Sequence, residues 1–381
     1  MIRRKIEEKL KEAIIGEKKV IIIYGPRQAG KTTLINALLS KMGWKYDYFI
    51  GDDLHAQEIF SRNELDYLRK ILKSNILVID EAQKIENIGL SLKLIFDNLP
   101  VKIIVSGSAS FDLANKLNEP LTGRTKTFWL YPLAYSEIED KYRKTSQGTL
   151  LEDMLRFGMY PKVHTLESEK EKENYLYEYL NNYLYKDILT FSGVRKPKRV
   201  VDLLTLLALQ IGKEVTISEL SKNLALSQKA VASYLDILEK MFVIVNLRGF
   251  SRNLRKEISK TSKYYFMDVG LRNALIRNFN QLKLRSDKGE LLENWFIIEK
   301  IKKSNIADQL ANFYFWRTYN QQEIDLVEER EGKLFGWEIK WGNKNPKAPK
   351  EWLETYQNSS FEIINKDNYY KFIGNQEYLK A

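Results

Sequence analysis

The chain contains no cysteine and only two histidines, His55 and His164, in 381 residues. Without a thiol there is no disulfide, no thiolate metal site and no cysteine nucleophile. Two histidines argue against a histidine-built zinc centre. No apolar run approaches the ~18 residues that a helical membrane span needs, so no membrane association is expected. The opening stretch, MIRRKIEEKLKEAI, reads as a charged amphipathic helix and not as a signal peptide. With 44% hydrophobic, 29% charged and 12% aromatic residues, the composition is that of a globular protein. The missing cysteine and the Lys/Glu-rich surface lead to the expectation of a cytoplasmic protein. The length suits two to four domains.

The net charge of +11 is unevenly placed. Lys and Arg minus Asp and Glu give 24 − 19 = +5 for residues 1–150, 21 − 15 = +6 for 151–280 and 16 − 16 = 0 for 281–381. The middle third holds the densest excess, which points to a polyanionic partner contacted mainly there.

One stretch organises the rest. Val20 to Tyr24 is a short apolar run rich in β-branched residues, as in a buried parallel strand. The loop Gly25, Pro26, Arg27, Gln28, Ala29, Gly30, Lys31, Thr32 and Thr33 follows, and then Leu34, Ile35, Leu38 and Leu39 recur at helical spacing. Strand, GxxxxGK[ST] loop and helix together make a phosphate-binding loop. The glycines let backbone N–H groups turn inward, and the helix N-terminus adds partial positive charge. Lys31 is expected to reach the β- and γ-phosphates of a nucleotide, and the Thr32 hydroxyl to serve as a Mg²⁺ ligand.

A second apolar run, Ile76 to Ile79, ends in Asp80-Glu81, the Walker B pattern. Asp80 is expected to hold Mg²⁺ and Glu81 to polarise the attacking water. An acid beside the Walker B aspartate marks ATPases of the AAA+ type; a surface turn is the plainer alternative for this segment alone. Val101 to Val105 forms a third strand ending in Ser106-Gly107-Ser108, where Ser106 or Ser108 is placed to sense the γ-phosphate or simply to end a strand. Arg124 precedes the strand from Thr125 to Leu130. AAA+ ATPases place an arginine finger there, acting on a neighbouring subunit, with a surface ion pair as the alternative.

GPRQAGKTT, VIDEAQ, SGSAS and LTGR followed by LYPLAYSEIE together resemble a family of archaeal and bacterial AAA+-like ATPases. In that family a half resembling a restriction endonuclease follows the ATPase. The resemblance covers nearly the whole chain and is most specific from Gly25 to Thr33. It implies an α/β fold: a P-loop parallel sheet, then a helical lid, a winged helix and a C-terminal α/β domain. The boundaries read as 1–145, 146–196, 197–266 and 267–381.

In the lid, Gly158-Met159-Tyr160-Pro161 resembles the family's glycine-x-x-proline turn, which makes Tyr160 and Pro161 candidates for contact with adenine; a helix stop is the alternative. The aromatics of Tyr175 to Tyr185 suit a core better than a stacking platform. Beyond the basic cluster Arg195 to Arg199, helices at Val200–Ile211, after Thr216 with Ser218 as N-cap, and at Gln228–Met241 precede the strand Phe242–Val245. That order is a winged helix-turn-helix. Lys229 on its third helix, and Arg248, Arg252, Arg255, Lys256, Lys260 and Lys263 around the hairpin, suit contacts to DNA phosphates. Winged helices also serve as lids or docking modules.

The C-terminal segment reads as a helix from Gly289 and strands at Phe313–Thr318, Glu323–Glu328 and Leu334–Trp341. Asp325, Glu338 and Lys340, with Glu293 from the helix, resemble the PD-(D/E)xK arrangement in which carboxylates bind Mg²⁺ and a lysine assists water. Ile324 stands where the motif has proline. The expected function is Mg²⁺-dependent ATP hydrolysis acting on duplex or branched DNA in a homo-oligomer. The alternatives are a metal-dependent nuclease gated by ATP and an ATP-dependent signalling switch that docks protein partners.

Overall fold

The computed structural model describes residues 2–108, 117, 120–190, 196–251, 261–342 and 346–375. The chain divides into two compact units. The first comprises Met1–Pro132 with Lys240–Phe242, and the second Leu133–Glu239 with Val243–Ala381. Residues 133–145 therefore cluster with the second unit. The local reason is hydrogen bonding: the Leu133 N–H donates to Met159 O at 2.8 Å, and its carbonyl accepts from Lys302 Nζ at 2.9 Å.

The first unit runs α1 (Glu7–Gly16), β1 (Val20–Tyr24), α2 (Lys31–Met42), β2 (Asp47–Ile50), α3 (Leu54–Ser61), α4 (Leu65–Ile71), β3 (Ile76–Asp80), α5 (Ile88–Asn98), β4 (Lys102–Gly107) and β5 (Thr125–Trp129). Its five strands form one parallel sheet in the order β2-β3-β4-β1-β5. Both faces are covered, which is why β1 and β3 read as unbroken apolar runs. Ile21, Ile23, Val78 and Ile104 pack on one side with Leu10 and Ile14 of α1 and Leu34, Ile35 and Leu38 of α2. Ile22, Tyr24, Leu77, Ile79 and Val105 pack on the other with Phe60 of α3 and Leu92 and Ile95 of α5.

The second unit begins with α6 (Tyr135–Ile138), α7 (Gln147–Phe157) and α8 (Glu169–Tyr179), which continues through a π-helical turn at Leu180–Leu184 into α9 (Tyr185–Thr190). Next come α10 (Pro197–Leu209), β6 (Glu214–Val215), α11 (Ile217–Leu224), α12 (Gln228–Lys240), β7 (Ile244–Gly249) and β8 (Ser262–Phe266). Thr216, not Ser218, caps α11: its side chain accepts from the Glu219 N–H. The chain ends with α13 (Val269–Leu275), α14 (Lys288–Ala307), β9 (Asn312–Arg317), β10 (Glu323–Arg330), β11 (Lys333–Ile339), α15 (Lys350–Thr355), β12 (Ser359–Ile364) and α16 (Tyr370–Ile373). One seven-stranded sheet, β12-β11-β10-β9-β7-β8-β6, spans all of these strands. The seam is the parallel pairing of Arg248 with Tyr314 and of Gly249 with Phe315. The hairpin expected to stand out as a wing is thus continuous with the C-terminal strands. No described helix is long and apolar enough to cross a membrane.

Two buried features of the second unit bear on its stability. Gly158 has φ +75°, and a Cβ there would lie 2.0 Å from Asp268 Oδ1, whose partner oxygen accepts from the Met159 N–H at 2.6 Å. Tyr160 is buried, and its hydroxyl donates to that of Tyr179 at 2.9 Å. Tyr160, expected as a contact to adenine, is therefore a core residue of the second unit. His164 is also buried, with Nδ1 3.1 Å from the Tyr142 hydroxyl. Burial, reinforced by the Lys172 and Lys141 ammonium groups, pushes its pKa from the ordinary 6.5 down to about 3. The unfolded chain therefore takes up a proton below pH 6.5 that the folded chain refuses. Stability contributed by this site is intact above that pH and falls as pH drops, by about 2 kcal/mol between pH 7.5 and 5. Urea unfolding at both pH values should show this loss, and His164→Gln should shrink it by that amount.

Candidate functional site

The phosphate loop is built from the backbone outward. Gly25 follows β1 where Leu130 crosses close beside it, and a Cβ would lie 2.1 Å from Leu130 O. Gln28 and Gly30 take left-handed backbone angles, φ +59° and +96°, which turn the loop before α2 starts at Lys31. Lys31 is 5% exposed, and its ammonium donates to Gly25 O at 2.8 Å and Pro26 O at 3.1 Å. Arg4, which the sequence reading passed over, braces the loop: its guanidinium donates to Ala29 O and to Tyr131 O, both at 2.7 Å. It ties the chain's beginning to the loop and to the exit of β5.

Because β1, β3 and β4 are neighbours and parallel, their C-terminal ends meet at this loop. Asp80 gathers four donors there. Thr32 Oγ1 donates to Asp80 Oδ2, and Ser106 Oγ to Asp80 Oδ1. The Tyr48 hydroxyl donates to Oδ2 at 3.0 Å and the Glu81 N–H to Oδ1 at 3.0 Å. Burial, then the Asp80 charge, raises the Tyr48 pKa, so the phenol stays a donor. Glu81 sits in the left-handed region, φ +52°, with its carbonyl against Gly51; a Cβ on Gly51 would come within 2.2 Å. Its carboxylate accepts from Ser108 Oγ at 3.0 Å and Gln83 Nε2 at 2.5 Å. The structure thus joins Lys31, Thr32, Asp80, Glu81, Ser106 and Ser108 in one site and adds Tyr48, Gln83 and Arg4.

The Thr32 hydroxyl in contact with the Asp80 carboxylate is the donor set that suits Mg²⁺, and the close backbone cradle at Gly25 suits phosphate. Arg124 stands apart. It precedes β5, whose first residue pairs with Val20, the start of β1, so it lies at the end of the sheet away from the loop. Its Nε donates to Asp97 Oδ1 at 3.0 Å. It cannot act on the nucleotide of its own chain. Pro161 is half-buried in the second unit.

The C-terminal candidates also converge. Asp325 on β10 accepts from the Ile339 N–H at 2.8 Å, and Lys340 Nζ lies 3.6 Å from Asp325 Oδ2 and 2.6 Å from Glu338 Oε1. Glu293 on α14 instead accepts from the Tyr265 hydroxyl at 2.5 Å and faces Lys263 Nζ at 3.9 Å. Lys263 corrects an expectation: it is 3% exposed and pairs with Glu323 at 2.5 Å, so it is no phosphate contact on a wing. Burial, then the Asp325 charge, raises the pKa of both Glu293 and Glu338; burial also raises that of Asp325. Glu338 Oε2 is buried without a hydrogen-bond partner. Yet among the described residues no group of three acidic or histidine side chains is arranged to hold a metal ion. Lys263 and Lys340 already pair with these carboxylates, so the donor set does not fit a resident metal.

On the DNA-contact candidates, Lys229 on α12 and Arg248 on β7 are exposed. Arg252, Arg255 and Lys256, with Lys260, lie outside the described residues, as does Arg195.

Known proteins match in pieces. A family described as an AAA domain matches residues 17–139. Two domains of unknown function, DUF8612 and DUF4143, match 148–282 and 288–379. An uncharacterised protein of Mycobacterium tuberculosis is 28% identical over 327 residues, 84% of this chain and 70% of that protein. One from Methanocaldococcus jannaschii is 25% identical over 385 residues, covering 92% and 85%. Among solved structures, the Walker-type ATPase paby2304 of Pyrococcus abyssi overlaps 72% of this chain and 96% of its own, at 18% identity and a TM-score of 0.48. The AAA-domain match over residues 17–139 agrees with the parallel sheet and the P-loop geometry of the first unit.

Proposed function

We propose that the protein hydrolyses ATP with Mg²⁺ and couples that turnover to DNA, acting as a homo-oligomer. The observation that carries the ATPase part is the Asp80 carboxylate, which bridges Thr32 of the loop and Ser106 of β4 with Glu81 adjacent. Thr32 and Asp80 would hold Mg²⁺, which when bound would neutralise charge on the terminal phosphates. Lys31 binds the β- and γ-phosphates, and loop N–H groups orient them. Glu81 holds the attacking water and accepts its proton, with Ser108 and Gln83 fixing the carboxylate. Arg124, remote from its own nucleotide, favours a role across a subunit boundary.

The DNA part is supported by the basic middle third and by exposed Lys229 and Arg248 on the helix and strand expected to face phosphates. Turnover measured with single-stranded, duplex and junction DNA should rise with at least one of them. Binding should weaken steeply with salt, and Lys229→Ala with Arg248→Ala should flatten that slope. Arg124→Ala should slow turnover by roughly 10³-fold or more and abolish its dependence on protein concentration. A rate indifferent to every DNA form would remove the DNA coupling, and an unaltered Arg124 variant would remove the oligomeric site.

A further inference from the structure

Every strand of the first unit's sheet is entered through a cation. Lys18 and Lys19 precede β1, Lys45 precedes β2, Lys73 precedes β3, Lys102 opens β4 and Arg124 precedes β5. All five strands run parallel, so these residues gather at one end of the sheet. That end is opposite the phosphate loop, about 16 Å away at ~3.3 Å per residue along β1.

Here a cleft of about 550 Å³ opens, lined by Ile14, Ile15, Trp44, Lys45, Lys73 and Lys102 among others. Lys45 and Lys73 are exposed, and Trp44 is half-buried with its body against the core shared by α1 and α2. Ile15 is 54% exposed. The acids nearby are engaged elsewhere. Asp47 accepts from the Lys73 and Ser74 N–H groups, both at 2.8 Å, and from the Ser74 hydroxyl at 3.2 Å. Glu17 pairs with Lys126 at 3.3 Å, and Asp97 with Arg124. Lys102 Nζ donates to the carbonyls of Glu17 at 2.9 Å and Ile15 at 3.4 Å, which leave its charge in place. Among the described residues, Lys45, Lys73 and Lys102 make no ion pair with a carboxylate.

We propose that this cleft binds single-stranded nucleic acid, with a base against Trp44 and Ile15 and flanking phosphates on Lys45, Lys73 and Lys102. An aromatic wall beside uncompensated ammonium groups is the combination that holds an unpaired strand, because every unpaired base offers a flat face and every linkage a charge. A duplex offers the charge but hides the faces. The inference rests on the reading that the protein acts on nucleic acid, but it uses a different unit from Lys229 and Arg248.

The test is fluorescence anisotropy of the full chain with labelled oligothymidylate and with a duplex of equal length, across a salt series. Lys45→Ala with Lys73→Ala should weaken oligothymidylate binding about 10-fold and reduce the salt slope by about 1.4, two phosphate contacts' worth. Trp44→Ala should weaken it about 5-fold or more, and Trp44→Phe should recover part of that. Duplex binding, melting temperature and basal ATP turnover of the lysine variant should not change. Unaltered oligothymidylate affinity in that variant overturns the cleft assignment. So does duplex binding by the wild type without single-strand binding, which leaves the DNA-coupled reading standing. Single-strand binding that the lysine variant loses, with no duplex or junction binding at all, keeps the cleft and removes the duplex contact at Lys229 and Arg248. Displacement of the oligonucleotide by a tighter-binding polyglutamate peptide overturns the nucleic-acid assignment.

Discussion

Glu81→Gln should lower ATP turnover by about 10²–10⁴-fold while nucleotide affinity stays near that of the wild type, the range expected for loss of a positioned general base. The amide keeps the size of the side chain and can still meet Ser108, but it cannot take a proton from water. Gln83 Nε2 now donates to Glu81 Oε2 at 2.5 Å, and one orientation of the new amide keeps an oxygen there, so the local fold should survive. Lys31→Ala separates the two roles from the other side: it removes the loop's cation and should abolish binding along with turnover. Binding measured with a fluorescent ATP analogue, beside phosphate release, distinguishes them. A Glu81→Gln protein that turned over ATP at the wild-type rate would move the base elsewhere.

Lys302→Met should cost about 3–5 kcal/mol, the usual penalty for stripping one partner from a buried ion pair. Lys302 and Glu299 lie one turn apart on α14, 2.8 Å apart and 2% and 1% exposed at their side chains. Glu299 Oε2 accepts from the Tyr135 N–H at 2.6 Å, and Lys302 donates to Leu133 O, so the pair also pins α6 to α14. Burial raises the pKa of Glu299, and the Lys302 charge opposes that rise. Without the lysine the carboxyl titrates higher still. The folded variant then binds a proton that the unfolded chain has released, so its deficit grows as pH rises above the ordinary value of 4.5. Chemical unfolding at pH 5 and pH 8 should show the larger loss at pH 8, and adding Glu299→Gln should recover much of it. A variant as stable as the wild type at pH 8 would mean the pair is dispensable.

The nucleotide site was legible because its chemistry is local. A turn between strand and helix must carry glycine where the backbone passes Leu130, and the lysine and threonine must follow at once. The Walker B acids were legible for the same reason, as two residues ending an apolar strand. What converges on them was not. Tyr48 meets Asp80 only because β2 lies beside β3, and Arg4 reaches Ala29 only because α1 packs against the sheet. In the second unit, Asp325 and Glu338 were legible as neighbours on paired strands, with Lys340 just beyond. Lys263 was misread, because a lysine in a basic hairpin looks exposed until β8 turns it toward Glu293 and Glu323.

The sequence by itself determined the loop from Gly25 to Thr33, Asp80 and Glu81 at the end of β3 and the apolar strands, since each depends on a few contiguous residues. Tertiary structure alone decided that Arg124 lies away from its own nucleotide, that the expected wing joins one seven-stranded sheet, and that cations scattered from Lys18 to Arg124 share one end of a sheet. The physical reason is the parallel arrangement. Parallel strands put all their beginnings at one end and all their ends at the other, and no short stretch of sequence records which strands are neighbours.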